Sequence, residues 1–243
     1  MPFKIIDYFY PDAIISYYQK RNMQQKIIKL FAITLFCIAL AGCKSNSLKD
    51  IEGNKYKTVS IGTQIWMSEN LKTTKFNDGT EIPIVTDNEV WAKMQTPALS
   101  WYNNDTVENK KTYGALYNWY SVNTNKLCPA GWHVPNEGDW ASLTTFLEGA
   151  GVAGGKLKEA GTAHWKSPNT DATNETGFTG LPGGYRSFEG AFNYLGLSGY
   201  WWSSTAYNES SILFWNLRYK GGNVYRHLSE KFCGFSVRCL KDK

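Results

Sequence analysis

The sequence predicts an α+β fold of short antiparallel strands, one or two helices and long irregular loops. Three observations carry that prediction. Ten tryptophans, all at or beyond Trp66, stand among frequent glycines; large rings supply buried area while glycines permit the tight turns that join short elements. Apolar residues fall in brief runs separated by Gly, Asn, Asp and Pro, the mark of short strands. The clearest helical signal opens at Pro135, where a capping asparagine precedes apolar residues at helical spacing. That mixture excludes a disordered chain and a helical bundle.

Ahead of the domain lies an export signal. Met23-Gln24-Gln25-Lys26-Ile27-Ile28-Lys29 is a basic start, Leu30 to Leu40 an apolar core, and Ala41-Gly42-Cys43 a small-residue exit. The apolar run is shorter than the roughly 20 residues of a bilayer-spanning helix. Leu40-Ala41-Gly42-Cys43 resembles a bacterial lipobox, where the cysteine takes a lipid and the peptide before it is removed. The expectation is a signal peptide over residues 23–42, lipidation at Cys43, and a protein anchored in the cell envelope, at the outer membrane, by its acyl chains. Neither Lys44 nor Lys44-Ser45-Asn46-Ser47 decides between the periplasmic and the surface face. Residues 1–22, in which Lys4 to Tyr18 carries aromatics and a proline, fit no signal pattern and read as a misassigned extension upstream of a true start at Met23.

Residues 43–52 read as a lipidated polar tether, without strand or helix period and mobile. A single domain is expected over residues 53–243, with no internal repeat. Tyr56 to Met67 reads as two strands about a Gly62-Thr63 turn, and Asn77-Asp78-Gly79-Thr80 as a tight turn. Asp87 to Met94 reads as a short helix capped by Asp87. Trp101 to Lys111 is polar and reads as a loop; Tyr113 to Val122, with four aromatics, reads as buried. In the helix after Pro135, Asn136 caps, Glu137 and Asp139 suit the dipole, Trp140, Leu143 and Leu147 face the core, and Gly149-Ala150-Gly151 ends it. Gly161 to Gly199 is rich in Gly, Asn, Thr and Pro and reads as a long loop region. Strands return at Tyr200–Ser204, Ile212–Tyr219, Val224–His227 and Gly234–Leu240.

Five of the 26 basic and two of the 21 acidic residues precede Cys43, so the net charge of +5 falls to +2 for residues 43–243. No Lys/Arg stripe remains there, which argues against nucleic acid as a partner. With Cys37 in the signal and Cys43 lipidated, Cys128, Cys233 and Cys239 allow at most one bridge. An extended Phe232–Leu240 would hold Cys233 and Cys239 roughly 20 Å apart, against about 5.5 Å for a disulfide, unless the chain turns back at Gly234. Cys128–Cys239 is the preferred bridge, leaving Cys233 a buried free thiol.

Several blocks carry a family resemblance. They are Ile61-Gly62-Thr63-Gln64-Ile65-Trp66-Met67-Ser68-Glu69-Asn70-Leu71, Tyr113-Gly114-Ala115-Leu116-Tyr117-Asn118-Trp119-Tyr120 and Leu127-Cys128-Pro129-Ala130-Gly131-Trp132-His133-Val134-Pro135. Leu181-Pro182-Gly183-Gly184-Tyr185-Arg186, Trp201-Trp202-Ser203-Ser204 and Gly234-Phe235-Ser236-Val237-Arg238-Cys239 follow in order. Over about residues 50–241 the chain resembles the Fibrobacter succinogenes major paralogous domain. The resemblance implies an exported, often lipid-anchored protein of Bacteroidetes-like bacteria, with a fold related to C-type lectins and formylglycine-generating enzymes. It implies no particular activity.

No catalytic constellation, cofactor or metal site is expected. His133, His164 and His227 are the only histidines, and none has metal-ligand spacing; no phosphate loop or serine elbow occurs. The cysteine context of a formylglycine-generating site is not reproduced. Ser167-Pro168-Asn169 and Trp215-Asn216-Leu217 each lack the carboxylate that the corresponding C-type-lectin calcium motifs carry. Metal-free binding of a glycan or protein ligand is therefore the expectation, through the long-loop region that lectin-like folds use. Trp165, Tyr185, Arg186 and Asn193 in that region, with Trp201 and Trp202 at its exit, are the candidate contacts, since rings stack on sugars while Asn and Arg hold hydroxyls. Core packing competes for the same residues, because alternation in Tyr200-Trp201-Trp202-Ser203 buries at least one tryptophan. The alternative functions are an uncharacterised enzyme on the same fold and a purely structural envelope protein.

Overall fold

In the computed structural model the described residues are 47–243. The upstream extension, the signal peptide, Cys43 and tether residues 43–46 lie outside them. The rest of the expected tether is not a tether. Ser47–Lys49 (β1) pairs antiparallel with Lys55–Ile61 (β2), Leu48 opposite Tyr56. Asp50 shapes the connection: its Oδ1 accepts from the Glu52 and Asn54 amides, and its Oδ2 from the Tyr56 hydroxyl at 2.7 Å. A polar run that looks featureless is thus an Asp-centred turn. Gln64–Met67 (β3) follows the expected turn, with Gly62 at φ +59 and Val59 opposite Trp66.

Asp87 caps Asn88–Lys93 (α1) by accepting from the Val90 amide at 2.9 Å, as expected. Leu99–Ser100 (β4) leads into the segment read as a loop, which instead holds a 3₁₀ turn at Tyr102–Asn104 and a helix, Glu108–Tyr113 (α2). Leu116–Tyr117 (β5) and Trp119–Val122 (α3) are buried, and Trp132–His133 (β6) follows. Glu137–Phe146 (α4) opens with a reciprocal capping box between Asn136 and Asp139 and buries Trp140 and Leu143. Gly149 ends it but also begins a second helix, Ala150–Leu157 (α5). Two of its glycines are required: a Cβ on Gly154 would meet the Asn223 carbonyl at 2.2 Å, and one on Gly155 the Asp171 carbonyl at 2.4 Å.

The region read as one long loop contains two strands, Gly183–Arg186 (β7) and Phe192–Leu195 (β8). Ser198–Ala206 (β9) and Val224–Glu230 (β11) match the expected strands and extend them, and Ser211–Arg218 (β10) matches its own with a shift of one residue. Gly234 to Cys239 is extended but only bridges its neighbours, Phe235 to Tyr117 and Ser236 to Trp201; the regular strand is confined to Leu240–Lys241 (β12). One five-stranded sheet runs β1-β2-β3-β12-β6, a second β11-β10-β9-β7-β8, and β4 pairs β5. Mostly strands with few helices, the domain is α+β. Cys128 and Cys239 form the disulfide, with Cα atoms 5.9 Å apart, and Cys233 is free and buried.

Around Trp201 and Trp202 both faces of β9 are covered, because the second sheet there lies between two cores. Trp201 joins Trp140, Trp165, Phe178, Trp215 and Leu217 on the side of α4 and α5. Trp202 joins Tyr117, Phe214 and Phe235 on the other.

Candidate functional site

Four of the six candidate ligand contacts are sealed in the interior. Trp165, Arg186, Trp201 and Trp202 are all 1 % exposed or less, so their assignment as ligand contacts is corrected. The physical reason is that each already has its partners. The Trp165 indole donates to the Gly180 carbonyl at 3.0 Å, Trp201 to Asn70 Oδ1 at 2.9 Å, and Trp202 to the Tyr117 carbonyl at 2.7 Å. Arg186 donates to the carbonyls of Gly190, Val85, Thr86 and Asp87 and lies 4.4 Å over the Trp91 ring. It is a staple holding β7 to the start of α1, and burial lowers its pKa to about 10. Asn193 is half-buried, its side chain returning to the Ala191 carbonyl at 3.3 Å, and it lies outside the cleft described next. Tyr185 alone of the six opens onto that cleft.

The cleft, about 940 Å³, lies on one face of the second sheet. Directly opposed residues of neighbouring strands share a face. Tyr200, Asn216 and Tyr225 are opposed across β9, β10 and β11, as are Trp202, Phe214 and His227. Around Trp202 this face is closed by Phe235, whose ring lies 4.3 Å from Trp202, 4.7 Å from Phe214 and 5.4 Å from Tyr200. Beyond Phe235 the face is open. A row of rings crosses it: Tyr194 on Tyr185 at 5.9 Å, Tyr185 to Tyr200 at 4.8 Å, Tyr200 to Phe214 at 5.9 Å, Phe214 to His227 at 5.5 Å, and His227 on Tyr225 at 6.0 Å. Tyr194 joins it only because its φ of +62 breaks the strand alternation.

The polar groups gather at the Tyr225 end. Arg218 lies 4.2 Å over the Tyr225 ring, donates from Nε to Asn216 Oδ1 at 2.7 Å, and approaches His227 Nε2 with Nη2 at 3.2 Å. Asn216 is buried, and its Nδ2 donates to the Gly199 and Leu217 carbonyls, which fixes Oδ1 toward Arg218. Burial first, and Arg218 second, lower the His227 pKa. A neutral His227 protonated at Nδ1 is the tautomer that can accept from Arg218. Burial pushes the Tyr200 hydroxyl up to about 12, and burial also raises the thiol of Cys233 in the cleft wall.

Away from the cleft, His133 is held between Asp242 (Nδ1 to Oδ1, 2.6 Å) and Asp139 (Nε2 to Oδ2, 3.2 Å), while His164 bonds Glu159. No histidine has a Ser, Thr or Cys side chain as hydrogen-bond partner among the described residues. Nor do three His, Cys, Asp or Glu side chains converge there as a metal site. No helix of the described residues is long and apolar enough to cross a membrane.

Sequence reasoning missed Tyr200, Arg218, Tyr225 and His227. A signal was present: Phe214, Asn216 and Arg218, and likewise Tyr225 and His227, recur at period two on one strand face. The family model described as the Fibrobacter succinogenes major domain matches residues 59–241, most of the chain. No curated protein and no solved structure matches it.

Proposed function

We propose a binding role, from the premise that this chain belongs to the Fibrobacter succinogenes major domain family. The domain is read as a non-catalytic module that holds a glycan against the open aromatic face of its second sheet. The observation that carries this is the row of Tyr194, Tyr185, Tyr200, Phe214, His227 and Tyr225 along an open cleft whose floor, at Phe214, is continuous with the core. Tyrosines join a flat apolar face to a hydroxyl, which suits stacking on sugars. The site is thus the sheet face, with Tyr185 and Tyr194 as the rings that the region from Gly161 to Gly199 contributes to it. No Ser, Thr or Cys side chain is hydrogen-bonded to a histidine among the described residues, and the histidine–carboxylate pairs lie away from the cleft, which favours binding over catalysis there.

The proposal includes a C-type-lectin-like fold, supported by the pairing of the terminal strand β12 with β3 and by the two helices, α4 and α5, beside the second sheet. It also includes lipid attachment at Cys43 and an outer-membrane location, supported by the lipobox-like Leu40-Ala41-Gly42-Cys43. Mass spectrometry of the purified protein should find an acylated peptide beginning at Cys43; an uncleaved, unacylated chain in the cytosol would sink that part.

A glycan and peptide array probed with the purified protein tests the binding role. Binding should be weakened about tenfold by Tyr225→Ala, the loss of one stacking surface. Silence across glycans and peptides removes the proposal.

A further inference from the structure

Arg218 is exposed at the cleft and has no carboxylate partner among the described residues, yet it is held still. Asn216 fixes its Nε, His227 its Nη2, and the Tyr225 ring its plane. The rotamer freedom that a surface arginine ordinarily loses on binding is here already lost on folding. A guanidinium carries five N–H donors in a planar fork. Two are engaged, and the far end, formed by Nη1 and the second hydrogen of Nη2, meets no acceptor among the described residues. That end matches the two oxygens of a carboxylate.

The surrounding charge agrees. Lys220, near the same end, has its ammonium 5.4 Å over the Tyr219 ring and no acidic partner among the described residues. The acid in the cleft wall, Glu230, closes β11 five residues beyond Tyr225, roughly 16 Å away at the rise of a strand. Behind the turn that follows β10, Asp171 lies against Gly222 and faces the Lys158 ammonium, so Arg218 and Lys220 leave the Tyr225 end cationic. β10 is paired on both sides, so the floor of the cleft offers rings but no free ladder; a peptide backbone could add only at the outer edge of β11, which pairs with β10 alone.

We propose that the cleft recognises a carboxylate-bearing glycan, a uronic-acid chain, whose sugar stacks on the tyrosine face while its carboxylate sits in the outer fork of Arg218. The proposal rests on the binding role above and narrows it to a ligand class.

The experiment is isothermal titration of the full-length protein in detergent with an oligogalacturonate, its methyl ester, a sulfated glycan of similar length and an acidic peptide. The oligogalacturonate should bind about tenfold or more tighter than its ester, as expected for losing a charge-assisted pair. Arg218→Gln should cost the acid about tenfold and the ester much less, closing most of the gap between them; Arg218→Lys should fall between. Equal binding of acid and ester, or equal losses for both in Arg218→Gln, overturns the carboxylate assignment while the binding role stands. Tighter binding of the sulfated glycan or the peptide overturns the ligand class. If none of the four binds, the proposal falls, and the wider array decides the binding role separately.

Discussion

Trp201 and Trp202 are neighbours in β9, yet their indole N–H groups donate into different cores, Trp201 to Asn70 Oδ1 at 2.9 Å and Trp202 to the Tyr117 carbonyl at 2.7 Å. Consecutive strand residues point to opposite faces, and here neither face of the strand at this point is open to water. The pair therefore reports on stability. Trp201→Ala and Trp202→Ala should each lower the free energy of unfolding by about 3–5 kcal/mol. Urea unfolding measures this, and ligand affinity of the folded Trp201 variant should be unchanged. Loss of affinity at unchanged stability would return Trp201 to the binding surface.

Asn70 is the hub of the core on the α4 side. Its Oδ1 accepts from the Trp201 indole, from Arg238 Nε at 3.2 Å and from Arg238 Nη2 at 3.0 Å, while Nδ2 donates to the Tyr113 carbonyl and Ser236 Oγ. Arg238 is wholly buried without a carboxylate, donating also to the Phe178 and Thr179 carbonyls, and burial pulls its pKa down to about 9. Removing Asn70 leaves a buried cation short of acceptors, so Asn70→Ala should cost about 3–5 kcal/mol. Because Arg238→Met strips the same network, the double variant should lose less than the sum of the singles by at least about 1 kcal/mol. Additive losses in a double-mutant cycle would show that the two side chains act independently.

The disulfide ties β12 to the segment before β6 across 111 residues. In the chain-entropy view a loop of that size contributes about 4–5 kcal/mol by restricting the unfolded chain. Replacing Cys128 and Cys239 by Ala together should lower the urea midpoint and steepen the transition, because the unlinked denatured chain is more expanded, whereas Cys233→Ala should have a far smaller effect. A reductant that leaves the wild-type midpoint unmoved would contradict this.

Elements defined by local chemistry were legible from residues alone. The Asp87 and Asn136 caps, the Gly62-Thr63 turn and the strands over 200–204 and 212–219 all announce themselves within a few positions. The Cys128–Cys239 pair was legible too, since reach disfavoured the alternative within one strand. What local reading could not supply was which face meets water. Tyr225 was overlooked and Trp202 favoured, although Trp202 is the more apolar, because exposure depends on where Phe235 crosses the sheet from far along the chain. Likewise β7 and β8 hide among Gly and Asn: Gly184, at φ +62, would place a Cβ 2.4 Å from the Asn193 carbonyl, so tertiary fit set its identity rather than strand propensity.

The buried tyrosines make stability fall in alkali. Tyr56 donates its hydroxyl to Asp50 Oδ2, and Tyr117 donates to the Thr73 carbonyl at 2.7 Å. Burial raises the pKa of both well above the ordinary value; the bond to Asp50 raises Tyr56 further, and Tyr200 is pushed up to about 12. In the unfolded chain these phenols ionise near the usual value of about 10. Above that pH the folded state binds more protons than the unfolded one, so stability, fully present below about pH 10, declines as pH rises, through about 12 for Tyr200 and beyond for the other two. Urea midpoints should therefore drop steadily between about pH 10 and 12, without a rise in tyrosinate absorbance from these residues until the fold is lost. Tyr56→Phe should make the decline shallower by up to about 1.4 kcal/mol per pH unit, one proton's worth. A decline equally steep in the wild type and in Tyr56→Phe would mean that the Tyr56 hydroxyl ionises inside the folded domain, and that its bond to Asp50 does not hold its proton.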